Sequence, residues 1–219
     1  MFDSATITML GKGIIETIYM TLVSSFLAYI IGLPLGILLV VTDKNGISPF
    51  SPINSILGTI INLLRSVPFI ILLIAIIPFT RFIVGKAIGS TAVIVPLVLS
   101  SAPYIARLVE SSLKEVDKGV IEAVQSMGAS NFQIIFHVML PEAKPSLING
   151  ATIAVTTILG YSSMSGFVGG GGLGDIAIRY GYNRYEFDIM IITIILLVII
   201  VQALQGIGNQ IMKHTDKRI

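Results

Sequence analysis

Cysteine and tryptophan are absent from the 219 residues, histidine occurs twice, and charge is scarce, with 14 Lys and Arg against 12 Asp and Glu. These absences leave no material for a disulfide framework, a thiol nucleophile or a zinc site. A soluble domain devotes about a quarter of its residues to charged side chains; here the share is 12%, beside 54% hydrophobic residues and a mean hydropathy of +0.91. Ordinary globular composition is excluded, and long uncharged stretches must exist. The chain reads as a membrane protein. A formal net charge of +2 gives no basis for a nucleic-acid partner. The first residues lack the basic, apolar and small-residue order of a cleaved signal, so the first apolar stretch is expected to be a retained span.

The charges mark the spans. Residues 17–42, between Glu16 and Asp43, form an uncharged run of 26, longer than the ~20 residues a helix needs to cross hydrocarbon. Pro34, flanked by Gly32 and Gly36, is expected to kink it. A second span is expected over about 56–79, interrupted by Arg65, whose long side chain can snorkel from near an end. Further uncharged runs predict spans at 87–106, about 146–168 and 189–212. The expectation is therefore an all-α polytopic protein of five transmembrane helices in a single domain, 1–219. An odd number of spans puts the termini on opposite sides. With the C-terminus inside, Lys44, Arg65, Arg107, Lys114, Lys118, Lys144, Lys213, Lys217 and Arg218 fall on the cytoplasmic side. Only Lys12, Arg81, Lys86, Arg179 and Arg184 fall outside. The positive-inside rule then places the N-terminus outside. The loop 107–145 is the longest, holds five of the twelve acidic residues, and is expected to dock a partner.

Within that loop Val120, Ile121, Val124 and Met127 recur at helical spacing, which predicts a short amphipathic helix. Gly128 follows, where a left-handed cap costs a glycine little, and Ser130 stands three residues before Gln133 in capping-box spacing. A second helix with the stripe Phe132, Ile135, Phe136 and Met139 is expected to stop before Pro141.

This helix-turn-helix resembles the cytoplasmic coupling loop of the membrane subunits of bacterial ABC importers. Their pattern is glutamate-alanine-alanine, three residues, glycine, nine residues, isoleucine, any residue, leucine-proline. Glu122, Ala123, Gly128, Leu140 and Pro141 match it, with Val124 and Val138 as small apolar replacements. The resemblance extends through Arg65-Ser66-Val67-Pro68, Gly160-Tyr161-Ser162-Ser163-Met164-Ser165-Gly166 and the glycine-rich run 169–174, and is strongest to permease subunits of methionine importers. It implies a homodimeric pore in the cell membrane, with two ATPase subunits docked on the loop and an extracytoplasmic methionine-binding receptor. ATP and Mg would be bound by the ATPase, with no cofactor in this chain and no catalytic site. Related importers of another amino acid or an osmoprotectant are the nearest alternative.

Other signals yield less. The G-x-G-x-x-G match at 169–174 has no preceding strand and falls on the outer side, so a close-packing turn is expected there rather than a nucleotide cradle. Ser163-Met164-Ser165-Gly166 approaches an intramembrane serine protease motif, but His137 and His214 lie outside the membrane and supply no base. No ring of carbonyls or charges suggests a channel filter. Hydroxyls along span four could line a path for a small zwitterion, or serve helix packing. In a two-fold pore each axial residue meets its own copy. Tyr161, Ser162, Met164 and Ser165 are therefore the candidate pathway or gate positions, with the unbranched Met164 as the occluding residue.

Overall fold

In hydrocarbon every backbone N–H and C=O must find its partner within the chain, which leaves helices as the natural product of these apolar runs. The computed structural model describes residues 3–215, and among them every regular element is helical. In chain order these are α1 (Ser4–Val41), α2 (Ser51–Arg65), α3 (Phe69–Ala75), α4 (Ile77–Val84), α5 (Ser90–Lys114) and α6 (Lys118–Ser126). They continue as α7 (Asn131–Gln133), α8 (Leu140–Glu142), α9 (Lys144–Met164), α10 (Gly172–Ile176) and α11 (Phe187–Thr215). Wide π turns occupy Ile134–Met139 and Ala177–Tyr182. Four helical runs are long and apolar enough to cross a membrane, and α2 with α3 makes a fifth if that sharply bent pair counts as one.

The charge-free runs locate the spans, but the helices have other limits. α1 begins at Ser4, well before residue 17, and runs unbroken through Pro34. It carries Lys12 and Glu16, which pair across one turn at 3.8 Å. The expected span 56–79 is interrupted: helix stops at Arg65 and restarts at Phe69, because Pro68 biases its predecessor away from helical geometry. α5 continues beyond Ala106 to Lys114.

The contacts group into two compact units. One gathers Met1–Ala28, Val67–Ser101 and Val155–Gln205; the other Tyr29–Ser66, Ala102–Ala154 and Gly206–Ile219. The chain passes between them five times in alternating direction, along α1, from α2 to α3, then along α5, α9 and α11. In the first unit Leu10, Leu173, Ile176 and Ile189 form a buried cluster. In the second, Leu39, Ile61 and Ala106 do so, and α1 lies tightly on α5. A Cβ on Gly32 or Gly36 would stand 2.7 Å or less from Ile105 or the Ala106 carbonyl. Much of α11 is open, with Ile194, Ile195, Val198 and Ile199 exposed, as suits a helix facing lipid.

Candidate functional site

The candidate docking loop lies wholly in the second unit. Asp117 starts α6: its Oδ1 accepts from the amides of Gly119 at 2.7 Å and Val120 at 3.3 Å, satisfying two of the donors a helix leaves open. The helix closes in a Schellman turn, with the Ala129 amide donating to the Val124 carbonyl at 3.3 Å and Gly128 to Gln125 at 2.9 Å. That closure requires φ +82° at Gly128, which glycine adopts at least cost. Ser130 then caps the next helix reciprocally with Gln133: Ser130 N donates to Gln133 Oε1 at 2.8 Å, and Gln133 N to Ser130 Oγ at 3.4 Å. The two helices thus meet at Gly128 through backbone geometry written in Asp117, Gly128, Ser130 and Gln133.

The second helix does not stop before Pro141. The π turn Ile134–Met139 widens the helix by one residue, and α8 restarts with Pro141 in its first turn, where the missing N–H is not needed. That extra residue also splits the expected apolar stripe. Ile134 and Met139 are buried, while Phe132 and Phe136 point outward with ring centroids 4.3 Å apart. Of the motif positions, Glu122, Ala123, Gly128 and Pro141 are exposed, and Val124, Val138 and Leu140 are half-buried. Met127, 85% exposed, and Phe132 add apolar surface that the motif does not include.

Just before α6, Lys114 bridges Asp43 at 3.0 Å and Glu110 at 2.8 Å, and Arg107 meets Glu110 at 2.6 Å. The Asn45 amide and Lys114 hold the Asp43 carboxyl below the usual aspartate range. In the sequence these cations served only as markers of sidedness; Glu110 stands at helical spacing from both, whereas Asp43 is distant along the chain and carries no spacing signal.

The candidate gate lies in the first unit, at the end of α9. Tyr161 stacks on Phe69, centroids 4.8 Å apart and planes within 8°. Ser162 and Ser165 are buried, and their hydroxyls donate to their own helix, at the Leu159 carbonyl (2.8 Å) and the Ser162 carbonyl (2.6 Å). Ser163 does likewise to Leu159 at 3.2 Å. Met164 is 45% exposed, so of the four candidates it is the one that presents its side chain outward, with Tyr161 half-buried beside it. The glycine run packs the turn that follows. A Cβ on Gly174 would come within 2.2 Å of the Ser163 carbonyl oxygen, and one on Gly166 within 2.6 Å of Gly174 and the Asp175 amide. At the start of α10 the Gly172 amide donates to Glu16 Oε2 at 2.8 Å and the Leu173 amide to Thr17 Oγ1 at 2.9 Å. The amide a dinucleotide phosphate would need is thus held by a carboxylate of the same chain.

Comparison with known proteins identifies the family and the fold. The family model described as the binding-protein-dependent transport system inner membrane component matches residues 32–219. A protein of Vibrio cholerae named as a probable D-methionine transport system permease is 48% identical over 203 residues, covering 93% of this chain and 90% of its own. The methionine import system permease of Bacillus subtilis is 42% identical over 217 residues, covering 99% and 98%. An inward-facing structure of a methionine ABC transporter superposes with a TM-score of 0.97 at 46% identity, over 99% of this chain and all of that one. The chain therefore belongs to the binding-protein-dependent transport system inner membrane component family, whose members are transport permeases and not enzymes.

Proposed function

We propose that this chain is the permease subunit of a methionine ABC importer, in which two copies form the pathway and α6 with α7 docks on an ATPase subunit. The observation that carries the docking is the rigid Asp117-to-Gln133 hairpin, capped at both helix starts and closed at Gly128, with Met127 and Phe132 exposed beside Glu122. An exposed apolar patch rimmed by polar residues is the signature of a protein contact. Methionine is favoured over another amino acid or an osmoprotectant by the named functions of relatives 42–48% identical over nearly the whole chain. ATP and Mg belong to the ATPase, and an extracytoplasmic receptor would deliver the substrate from the opposite side.

The orientation has its own support. Lys44, Arg65, Arg107, Lys114, Lys118, Lys144 and Lys213 all fall in the second unit, with the docking hairpin, whereas Lys12, Arg81, Lys86, Arg179 and Arg184 fall in the first. Lys217 and Arg218 lie outside the described residues. That partition favours a cytoplasmic second unit, a multi-pass protein of the inner membrane and an N-terminus outside. Met164 and its dimer mate would occlude the pore at rest, with Tyr161 lining the approach. Ser162 and Ser165 fix the helix end that presents them. ATP-driven approach of the two ATPases would move the hairpin and exchange inward for outward access.

Reconstituted uptake decides the substrate. Proteoliposomes holding the permease and its ATPase are supplied in turn with receptors for methionine, another amino acid and an osmoprotectant. ATP-dependent accumulation of methionine alone is expected, and accumulation only with one of the other receptors would overturn the assignment.

A further inference from the structure

The face of α5 that leads into the docking hairpin carries a line of charge that the docking motif does not use. Arg107, Glu110 and Lys114 stand three and four residues apart, on one side of the helix. Glu110, 12% exposed at its side chain, accepts from Arg107 through Oε2 and from Lys114 through Oε1. Lys114 continues to Asp43 in the loop after α1. That loop is folded back on the helix by bonds from the Ser48 and Phe50 amides to the Val41 and Thr42 carbonyls, each 3.1 Å. At the other end, Arg107 Nη2 donates to Asn62 Oδ1 at 2.9 Å and to the Gly58 carbonyl at 3.2 Å, both on α2. A Cβ at position 58 would stand 3.4 Å from the guanidinium, at the edge of ordinary contact, so the approach does not depend on glycine there. One helical turn away, the Arg65 guanidinium lies over the Tyr104 ring, 5.9 Å from its centroid. α2 and α5 are thus fastened at two levels, and the loop is fastened to α5 at a third, all within the second unit.

Isolated surface ion pairs contribute little and need no function. This line differs in two respects. Its central carboxylate is largely buried and takes two cations. Its terminal guanidinium also reaches the main chain of another helix, a charge-assisted contact that sets position and not merely charge balance. Only Glu115, Val116 and Asp117 separate α5 from α6. A cavity of about 480 Å³ lies between α6 and the end of α5 with its loop, lined in part by Asp43, Lys114, Ile121 and Glu122. The docking helix therefore has room to move against the clamped end of α5. Arg107 Nε has no partner among the described residues, which leaves the line one buried donor available to a second arrangement.

We propose that Arg107, Glu110, Lys114 and Asp43 are positioning residues that carry displacement of the docking helix α6 into α2. Without them the end of α5 would yield locally and ATP would be hydrolysed with little transport. The proposal rests on the reading of α6 as the ATPase-docking helix, and the experiment separates the two. The complete importer, permease with ATPase and receptor, is reconstituted with Glu110→Gln, Lys114→Met, Lys114→Arg, Asn62→Leu or Asn62→Asp. Measured for each are ATPase assembly, ATP hydrolysis and substrate accumulated per ATP. Expected for Glu110→Gln, Lys114→Met and Asn62→Leu is normal assembly and basal hydrolysis with accumulation per ATP reduced about tenfold. Lys114→Arg and Asn62→Asp, which keep the charge or the acceptor, should recover most of it. Accumulation per ATP unchanged in all variants, or uptake and hydrolysis falling in proportion with no rescue, overturns the clamp alone. Failure of the unsubstituted permease to bind the ATPase overturns the docking reading beneath it.

Discussion

Substitution at Gly128 separates backbone geometry from partner contact at the docking hairpin. The residue sits at φ +82°, and a Cβ built on it meets nothing within 4 Å. In the free subunit, then, a new side chain costs only what the left-handed conformation costs, about 1–2 kcal/mol for alanine. At tenfold per 1.4 kcal/mol that corresponds to about a 5- to 30-fold loss of the closed hairpin relative to its alternatives. Asparagine tolerates the left-handed region and should lose less, while valine, branched at Cβ, should lose more. Geometry alone therefore orders the variants Gly, Asn, Ala, Val by decreasing affinity for the ATPase. Aspartate shares asparagine's backbone tolerance but brings a charge to be desolvated at an interface, so Gly128→Asp should insert normally yet bind and transport worse than Gly128→Asn. The assay is ATPase-subunit affinity for the purified permease, beside receptor-dependent uptake in proteoliposomes. If Gly128→Val assembles and transports like the unsubstituted chain, the hairpin closure is not required. If Asn and Asp behave alike, Gly128 does not face the partner.

Four other outcomes follow from the same structure. Gly174→Ala would push a methyl group to within 2.2 Å of the Ser163 carbonyl, and should lower the melting temperature by an amount equivalent to about 1–3 kcal/mol or more; Gly160→Ala, with nothing within 4 Å, is the neutral control. Cysteine at exposed Ser126 should react only with membrane-permeant or cytosolic thiol reagents, and cysteine at exposed Asn183 with an impermeant reagent added outside, whereas the reverse pattern would invert the orientation. Because the Asn45 amide and Lys114 hold the Asp43 carboxyl low in the folded state, its contribution to stability is complete above the ordinary aspartate range and is lost as pH falls through the depressed value; Asp43→Asn should flatten that acid limb of the melting temperature against pH, and an unaltered limb refutes the depressed carboxyl. Met164→Cys in this cysteine-free chain should cross-link to its copy at rest and not in the ATP-trapped state, while no cross-link in either state together with normal uptake in Met164→Ala would leave Met164 in ordinary packing.

Charge-free runs located the membrane helices because inserting an ionised side chain into hydrocarbon is expensive, but they missed the helix ends because charge is tolerated once it has a partner. α1 begins some dozen residues early because Glu16 has Lys12 on one oxygen and the Gly172 amide on the other. α5 extends to Lys114 because Arg107, Glu110, Lys114 and Asp43 satisfy one another. The helical-spacing pairs are local, but the partners that complete each set lie outside any local window: Glu16 and Gly172 are 156 positions apart, and Lys114 reaches back to Asp43. The turn of the candidate docking hairpin was legible in the opposite circumstance, since a left-handed glycine and a capping box are local and each depends on residue type at fixed spacing; the Asp117 N-cap is equally local but was not read.

The same distinction explains the gate run. The Ser and Thr hydroxyls from Thr152 to Ser165 in span four suggested either a polar path or packing, and composition could not choose because a serine facing a pore and one bonded back to its own helix look alike in sequence. The buried hydroxyls of Ser162 and Ser165 donate to carbonyls three residues earlier. Each has thus used its one donor and is closed off by burial from a passing solute, and the last turn of α9 runs on into the short 3₁₀ segment Ser165–Val168. That segment begins directly after Met164, and the close approach of Gly166 to Gly174 packs the turn that follows. On the proposed gate, a serine bonded back to its own helix would act by orienting the apolar residue beside it, and Ser165→Ala should disturb Met164 cross-linking more than it disturbs solute affinity.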